Sequence, residues 1–256
     1  MIIELTRRDE FAVITINRPD QLNALSFPLV KELGRLLDEV EESDARALLF
    51  IGTGSKSFSA GADINELLGK TATEMRTNIG RGQTTFLRLD NLKIPSIAVI
   101  NGYAFGGGME LACSCTFRLC TPNAKVGLPE IKLGAIPGYG GTQRLPRLIG
   151  QTRALEIIMT GRTVEAQEAL DIGLVSRIVE SEDPIAGAME FARSFTKYSL
   201  PILYYTRRAV QRAFDQPVSE GIHTEMDLNM LAFGSADNAE GVAAFLGKRK
   251  PEFKDA

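Results

Sequence analysis

Short runs of apolar and β-branched residues recur along roughly the first 180 residues, separated by helical stretches and glycine turns. Runs of this length are typical of buried strands. They are FAVITI (11–16), RALLFIG (46–52), PSIAVI (95–100), RLCT (118–121) and LVSRIV (174–179). Strands that alternate with helices predict an α/β core.

The segment FPLVKELGRLLDEVEES (27–43) has the spacing of an amphipathic helix. Its apolar residues share one face, and its charged residues lie off that face. The apolar positions are Leu29, Leu33, Leu36, Leu37 and Val40. We therefore predict a helix that covers the surface of the core.

The pattern changes at Asp183, after which apolar residues recur at three and four positions as in helices. Pro201, Pro217 and Gly234 interrupt this pattern. We expect an α/β core with the active site over residues 1–182 and a helical C-terminal region over residues 183–256.

The composition limits the function classes. With 256 residues, 44% of them hydrophobic, the chain can bury a large core. The formal net charge of −3 gives no basic surface for nucleic acid, and no apolar run reaches the roughly 20 residues needed to span a membrane. The opening MIIELTRRDEFAV shows no charged leader before an apolar run, so we expect a soluble, cytoplasmic protein.

The three cysteines, Cys113, Cys115 and Cys120, lie in an apolar stretch without a second cluster or a nearby histidine. This setting favours small buried side chains over metal ligands or a redox pair. We predict no metal site.

The segment NGYAFGGGMELA (101–112) places three glycines between a strand candidate and a helix candidate. Backbone N–H groups at Gly107 and Gly108 would then bind negative charge at a helix N-terminus. The alternative is a tight packing turn with no ligand. Neither this segment nor GYGG (138–141) fits the G-x-G-x-x-G of a dinucleotide site, and GSKS (54–57) lacks the spacing of a phosphate-binding loop.

A second glycine turn, GSKSFSAGADI (54–64), leads into the helix candidate DINELL (63–68). If the N–H groups of the two turns converge, they form an oxyanion hole. Glu110 follows the three glycines, and Glu130 lies farther along the chain. The single histidine, His223, is in the helical region, so a Ser–His–Asp or Cys–His mechanism has no basis and proton transfer falls to carboxylates.

These residues resemble the enoyl-CoA hydratase/isomerase (crotonase) family over nearly the whole chain. The matching segments are NRPDQLNAL (17–25), FSAGADI (58–64), NGYAFGGGMELA (101–112), GLPEIKLGAIPGYGGTQRLPRLIG (127–150) and GKRKPEFK (247–254). The resemblance implies a spiral core of ββα units and a C-terminal helical region for trimerisation. It also implies a homotrimer, or a homohexamer built as a dimer of trimers.

The resemblance also implies roles for four residues. Ala62 and Gly107 match the positions whose N–H groups bind the thioester oxygen. Glu110 and Glu130 match the two catalytic glutamates of hydratases, in which Glu130 exchanges the Cα proton and Glu110 helps to hold and activate the water. Hydration needs a base at Cβ and an acid at Cα, so the two titrations should be coupled.

Further positions match residues that contact the substrate or its CoA part. They are Ala24, Ala60, Asp63, Ile64, Asn65, Gly138, Phe245 and Lys248. Asn65 departs from the family, which often has lysine there to anchor the CoA nucleotide. Gly138 either lines the water pocket or only forms a turn. Phe245 and Lys248 either close the adenine pocket, often across a subunit boundary, or belong to a solvated basic tail.

The sequence therefore predicts a hydro-lyase that adds water to 2-enoyl-CoA thioesters and needs no cofactor, because CoA is part of the substrate. The alternatives are a Δ3,Δ2-enoyl-CoA isomerase or another acyl-CoA enzyme of this family. Two alternatives are not enzymes: an RNA-binding relative of the same fold and a catalytically silent scaffold. RNA binding needs a basic, exposed helix, and the segment that carries Arg76, Arg81 and Arg88 has few basic residues, spaced far apart. Acyl-chain length, direction and pathway are left open.

Overall fold

The computed structural model describes residues Met1–Ala256 and contains two β-sheets. The strands are Ile3–Arg8 (β1), Phe11–Ile16 (β2), Ala47–Gly52 (β3), Ser57–Ser59 (β4), Ser96–Ile100 (β5), Tyr103–Phe105 (β6), Phe117–Cys120 (β7), Lys125–Gly127 (β8), Val164–Glu165 (β9) and Arg177–Ile178 (β10). The larger sheet has the order β1-β2-β3-β5-β7-β10, and the smaller has the order β4-β6-β8-β9.

Ten α-helices accompany the sheets. They are Phe27–Glu41 (α1), Ala72–Asn91 (α2), Gly107–Ser114 (α3), Gly141–Ile149 (α4), Gln151–Thr160 (α5), Ala166–Asp171 (α6), Pro184–Thr196 (α7), Leu200–Arg212 (α8), Val218–Phe233 (α9) and Ala236–Leu246 (α10). Short 3-10 helices lie at Pro19–Gln21, Ile64–Glu66 and Glu130–Leu133. None of the ten combines the length and the apolar character that a membrane span requires.

Pairs of consecutive strands divide between the two sheets. The first strand of each pair joins the larger sheet (β3, β5, β7) and the second joins the smaller one (β4, β6, β8). Pairing between successive repeats is parallel in both sheets, so each repeat advances one strand position. A helix follows the strands of each repeat: α2, α3 and α4. This arrangement confirms the predicted spiral of ββα units.

The predicted apolar runs supply five of the six strands of the larger sheet. All five contain strands, and β2, β3 and β5 are almost wholly buried. Helix α1 buries the predicted face together with Val30. The three cysteines are free thiols and buried, as predicted, and burial raises the pKa of Cys115 to about 12.

By compactness, the chain divides into two units. One comprises Met1–Leu92 and Ser96–Phe191, and the other comprises Lys93–Pro95 and Ala192–Ala256. The predicted helical character of the C-terminal region is confirmed by α7 to α10. The functional division at residues 182 and 183 stays a prediction.

Within the second unit, the C-terminal tail is held by acidic side chains. Asp237 accepts a hydrogen bond from the Lys254 N–H at 2.7 Å, and Asp255 accepts one from the Leu200 N–H at 2.7 Å. Arg249 pairs with Glu240 through both carboxylate oxygens. These contacts hold the tail residues that follow α10 against α8 and α10.

Candidate active site

The ends of β3 and β5 are joined by a buried asparagine. The Asn101 side chain donates to the Gly52 carbonyl at 2.7 Å and to the Gly54 carbonyl at 2.5 Å, and accepts from the Gly52 N–H. The two glycine turns that follow these strands are therefore held side by side. The amide is fully used by the backbone, so its role is to position the loops.

The segment that follows Asn101 differs from the prediction in two respects. It is not one turn, because Tyr103–Phe105 pairs with β4 and β8 as β6. Helix α3 begins at Gly107, so two of the three glycines belong to the helix rather than to the turn before it. Similarly, DINELL forms only the short 3-10 helix Ile64–Glu66. The sequence lacks the long apolar period that would have shown these short elements.

The three glycines have different tasks. Gly106 has φ +49°, which side-chain-bearing residues rarely adopt, and its N–H donates to the Gly127 carbonyl at 3.0 Å. A methyl group at Gly108 would overlap the Ser59 carbonyl, so this residue lets α3 pack directly on β4. Gly107, the first residue of α3, has an N–H with no acceptor inside the helix.

The amide groups of Gly107 and Ala62 lie close together. A methyl group at Gly107 would be 3.5 Å from the Ala62 nitrogen, and one at Gly61 would be 3.5 Å from the Gly107 nitrogen. Leu25 bonds to both neighbours of Ala62, since it donates to Gly61 and accepts from Asp63. The Ala62 N–H is left without a partner in the chain. Two N–H groups without a partner in the chain therefore lie close together, as an oxyanion hole would require.

Glu110 lies in the first turn of α3 and is 2% exposed. Its Oε1 accepts hydrogen bonds from the N–H groups of Tyr139 at 2.7 Å and Gly141 at 2.8 Å. Gly141 is the first residue of α4, so the carboxyl group faces the positive end of that helix. Burial raises the pKa of Glu110, while the backbone N–H groups and Arg144 oppose that rise.

Glu130 begins the 3-10 helix Glu130–Leu133 and is half-buried. Its Oε1 lies 3.0 Å from where a methyl group on Gly106 would be, so the carboxyl group stands directly beside the glycine turn. Its Oε2 is buried and has no hydrogen-bond partner. Burial, reinforced by the charge of Glu110, raises the pKa of Glu130 to about 7. A carboxyl group with this pKa gains and loses protons near neutral pH.

Tyr139, an aromatic residue that sequence reasoning missed, packs against the glycine turn. The Tyr139 ring lies 3.4 Å from where a methyl group on Gly107 would be, and it meets Phe86 of α2 edge to face at 5.3 Å. Its carbonyl accepts from Arg144, which also pairs with Asp90 at 2.6 Å. The only sequence signal was its place between the glycines of IPGYGG.

Known proteins resemble this chain in sequence and in fold. The family model described as enoyl-CoA hydratase/isomerase matches residues 6–256. The chain belongs to the enoyl-CoA hydratase/isomerase family. It is 40% identical to the probable enoyl-CoA hydratase of Mycobacterium bovis over 97% of this chain and 96% of that protein. It is 39% identical to the short-chain-enoyl-CoA hydratase of Clostridium acetobutylicum over 97% and 95%.

Solved structures agree. The crystal structure of enoyl-CoA hydratase from Bacillus anthracis superposes with a TM-score of 0.95 at 36% identity, and all of each chain is covered. The match extends over both compact units, so family membership applies to the whole chain rather than to the core alone.

The remaining residues that the family resemblance singled out lie in several places. Ala24 is buried, and its carbonyl accepts from Arg18 at 2.7 Å. Arg18 also pairs with Asp63 at 2.8 Å and lowers the pKa of that carboxyl group. This pair, which sequence reasoning missed, holds the 17–25 segment against the loop that carries Ala60 and Ala62.

Asp63, Ile64 and Asn65 continue from that loop into the 3-10 helix. The Asp63 side chain caps it by accepting from the Asn65 N–H at 3.2 Å, whereas Ile64 is 54% exposed and Asn65 is exposed. The Gly138 carbonyl accepts from Gln83 of α2 at 2.9 Å, one residue before Tyr139.

Phe245 and Lys248 belong to the second compact unit. Phe245 lies in the last turn of α10 and is 84% exposed, and Lys248, two residues after the helix, has φ +52°. Their contacts with CoA stay a prediction.

Proposed function

We propose that the protein is an enoyl-CoA hydratase that reversibly adds water across the 2,3 double bond of enoyl-CoA thioesters. The observation that carries this proposal is the grouping of two raised-pKa carboxyl groups, Glu110 and Glu130, around the free N–H groups of Ala62 and Gly107. The hydratase names of the relatives in Mycobacterium bovis and Clostridium acetobutylicum support the same reaction. The second of these names also favours short acyl chains.

In this proposal the thioester oxygen accepts hydrogen bonds from Ala62 and Gly107. Negative charge develops on that oxygen when water attacks Cβ, and the positive end of α3 adds to its stabilisation. No cofactor is required, because CoA belongs to the substrate. The polarised carbonyl makes Cβ electrophilic and Cα able to accept a proton.

The glutamates complete the addition. Glu110, held by two N–H groups, takes a proton from the water as its oxygen bonds to Cβ. Glu130 gives its proton to Cα, and its unpaired Oε2 leaves room for that exchange. The pair begins and ends with one proton between them, so the atoms balance and only the location of that proton changes.

Isomerisation is the weaker candidate. A proton moved between two carbons of the substrate needs one group that takes and returns it, whereas hydration uses both carboxyl groups. The paired arrangement of Glu110 and Glu130 therefore favours hydration.

The deciding experiment incubates the purified protein with crotonyl-CoA and with a 3-enoyl-CoA. A hydratase removes the conjugated thioester absorbance of crotonyl-CoA and forms the 3-hydroxyacyl ester. An isomerase instead increases that absorbance when given the 3-enoyl ester. If the protein consumed neither ester, the proposal would be overturned.

The oxyanion donors are tested separately by replacing the amide at Ala62 or Gly107 with an ester through semisynthesis. Loss of one donor should slow the chemical step by roughly 10²–10³-fold. An unchanged rate in a folded ester variant would show that the glycines are only a packing turn.

We also propose that the chain assembles as a homotrimer, or as a homohexamer formed from two trimers. Helix α9 exposes an apolar row at helical spacing, each member more than half exposed: Val218, Ile222, Met226, Met230 and Phe233. Analytical ultracentrifugation tests this state, and a monomer at micromolar concentration would contradict it.

A further inference from the structure

Tyr139 contacts both the glycine turn and one of the two glutamates. Its Cδ2 lies 3.4 Å from where a methyl group on Gly107 would be, and its own N–H donates to Glu110 at 2.7 Å. The ring is only 5% exposed. Tyr139 therefore lies between the first turn of α3 and the Glu110 carboxyl group's backbone donors.

Packing against α2 fixes the ring in this position. Any side chain at Gly82 would overlap Cε1, Cδ1 and Cζ of Tyr139, so this glycine admits the ring against the helix backbone. Phe86, one helical turn further, supports it edge to face. Below the ring, the Tyr139 backbone is held by Glu110 and Arg144. The contacts with Gly82 and Phe86 hold the ring, and the hydrogen bonds with Glu110 and Arg144 hold the backbone that carries it.

The place of the acyl chain follows from the proposed function, on which this inference rests. With the thioester oxygen at Ala62 and Gly107, Cβ lies two bonds from the carbonyl carbon and faces the water held at Glu110. The chain beyond Cβ must leave from that point. The Tyr139 ring lies beside Gly107 at the first of these points, and the Tyr139 N–H bonds to Glu110 at the second.

We propose that Tyr139 determines acyl-chain specificity: its ring closes the acyl end of the pocket, so that short, unbranched 2-enoyl groups are preferred. The effect is steric, because no group of the chain bonds to the Tyr139 hydroxyl. Loss of the ring opens this wall, and loss of the hydroxyl alone leaves it in place.

The test measures kcat/KM for crotonyl-, hexenoyl-, octenoyl- and decenoyl-CoA. In the wild type we expect it to fall along the series. Tyr139→Ala should raise the ratio of decenoyl to crotonyl turnover by about tenfold or more, whereas Tyr139→Phe should hold the wild-type ratio within about twofold. A flat wild-type series, or an unchanged ratio in a folded Tyr139→Ala variant, would overturn the inference.

Two glycines of α2 supply a second pair of variants if Tyr139→Ala fails to fold. Gly82→Ala should push the ring toward Gly107 and lower the ratio by about tenfold, while Gly80→Ala, which has open space around it, should leave the ratio within about twofold. Both changes replace glycine by alanine in the same helix, so their effects on helix propensity match. Equal ratios in the two variants would contradict a steric wall.

Failure of the proposed function gives a different result. A wild type that hydrates none of the four esters overturns both the function and the inference. Hydration of crotonyl-CoA with chain-length ratios that do not respond to Tyr139 or Gly82 overturns the inference alone.

Discussion

The two carboxyl groups at the glycine turns are held in opposite ways. Glu110 lies within a helix, and one of its oxygens accepts two backbone N–H groups. Glu130 begins a short 3-10 helix, and one of its oxygens is buried without a partner. The first group is fixed by the protein, whereas the second retains an oxygen that is free to bind a proton or a substrate.

The surroundings of the two carboxyl groups also differ in how they shift the pKa. At Glu110, the first residues of α4 and the Arg144 guanidinium oppose the effect of burial on the pKa. At Glu130, only its own backbone N–H opposes burial, and the Glu110 charge adds to the rise. Two carboxyl groups of one residue type thus differ in their hydrogen bonds and in what shifts their pKa, as the two separate tasks proposed for them, holding water and exchanging a proton, require.

The largest expected effect comes from removing either proton-transfer group. Glu130→Gln and Glu110→Gln should each lower kcat for crotonyl-CoA hydration by about 10²–10⁴-fold, because glutamine keeps the shape of the side chain but transfers no proton. Stopped-flow absorbance measures the rate, and calorimetry measures whether the CoA ester still binds.

Glu42→Gln is the matched control, since Glu42 is exposed and ends α1 away from these turns. The double variant should lose little more than the worse single variant, because the two groups act as a unit. Near wild-type turnover in either single variant would remove that glutamate from the mechanism.

A smaller effect is expected from adding one methyl group beside each carboxyl group. Gly106→Ala places a methyl group 3.0 Å from Glu130 Oε1 and strains a backbone with φ +49°. Gly141→Ala places one 3.1 Å from Glu110 Cγ, at an ordinary φ. Displacement of a catalytic group by about 1 Å costs up to about 10²-fold, so we expect Gly106→Ala to approach that loss and Gly141→Ala to lose about tenfold.

The variant Gly173→Ala separates the effect of backbone strain from the effect of a methyl group that touches a glutamate. Gly173 has φ +76° with open space around it, so its variant carries the backbone strain without touching either glutamate. We expect a lower melting temperature and an unchanged kcat/KM. If Gly173→Ala lost as much activity as Gly106→Ala, strain rather than displacement of Glu130 would explain the result.

The sequence predicted the parts of this molecule that depend on local patterns. Strands β2, β3 and β5 and the buried face of α1 follow from unbroken apolar runs or a helical period. It missed β1, whose residues are mostly exposed and are ordered by antiparallel pairing with β2. It also missed β4, β6 and β8, because three-residue strands exist only through their neighbours in the sheet.

The same limit applies to the site. Gly107, Glu110 and Glu130 stand out because glycines and acids follow apolar runs, and their proposed roles came from family resemblance. The position of the Tyr139 ring depends on the absence of a side chain at Gly82, which is distant from Tyr139 in the sequence. The free oxygen of Glu130 likewise results from tertiary packing, which no local pattern expresses.

The pH dependence of turnover reports the proton that the two carboxyl groups are proposed to share. In the proposed mechanism the pair carries one proton in total, both before hydration and before dehydration. We therefore expect kcat/KM to fall as pH rises through about 7, where the pair loses that proton, and the fall should be about tenfold per pH unit. Because the overall reaction neither consumes nor releases a proton, kcat/KM must show the same pH dependence in both directions. A kcat/KM for hydration that stays constant from pH 6 to pH 9 would contradict a pair that must hold one proton.

The smallest effect is on stability. Glu130 has a folded-state pKa of about 7 against an ordinary value of 4.5, so between these values the folded protein holds a proton that the unfolded chain has lost. Stability from this group is therefore complete below pH 4.5 and is lost as pH rises through about 7. The shift corresponds to about 3 kcal/mol at most, and solvent screening at this half-buried position reduces it to about 1–2 kcal/mol.

Glutamine mimics the protonated form at every pH, so wild type and Glu130→Gln should unfold at similar temperatures at pH 5, and the wild type should unfold at the lower temperature at pH 8. Thermal denaturation at one fixed protein concentration measures this difference, because assembly would otherwise shift both transitions. Glu42→Gln should track the wild type at both pH values. A difference between wild type and Glu130→Gln that stays constant from pH 5 to pH 8 would show that Glu130 is no harder to ionise in the folded protein than in the unfolded chain. The contrast with Glu110 would then rest on hydrogen bonds alone.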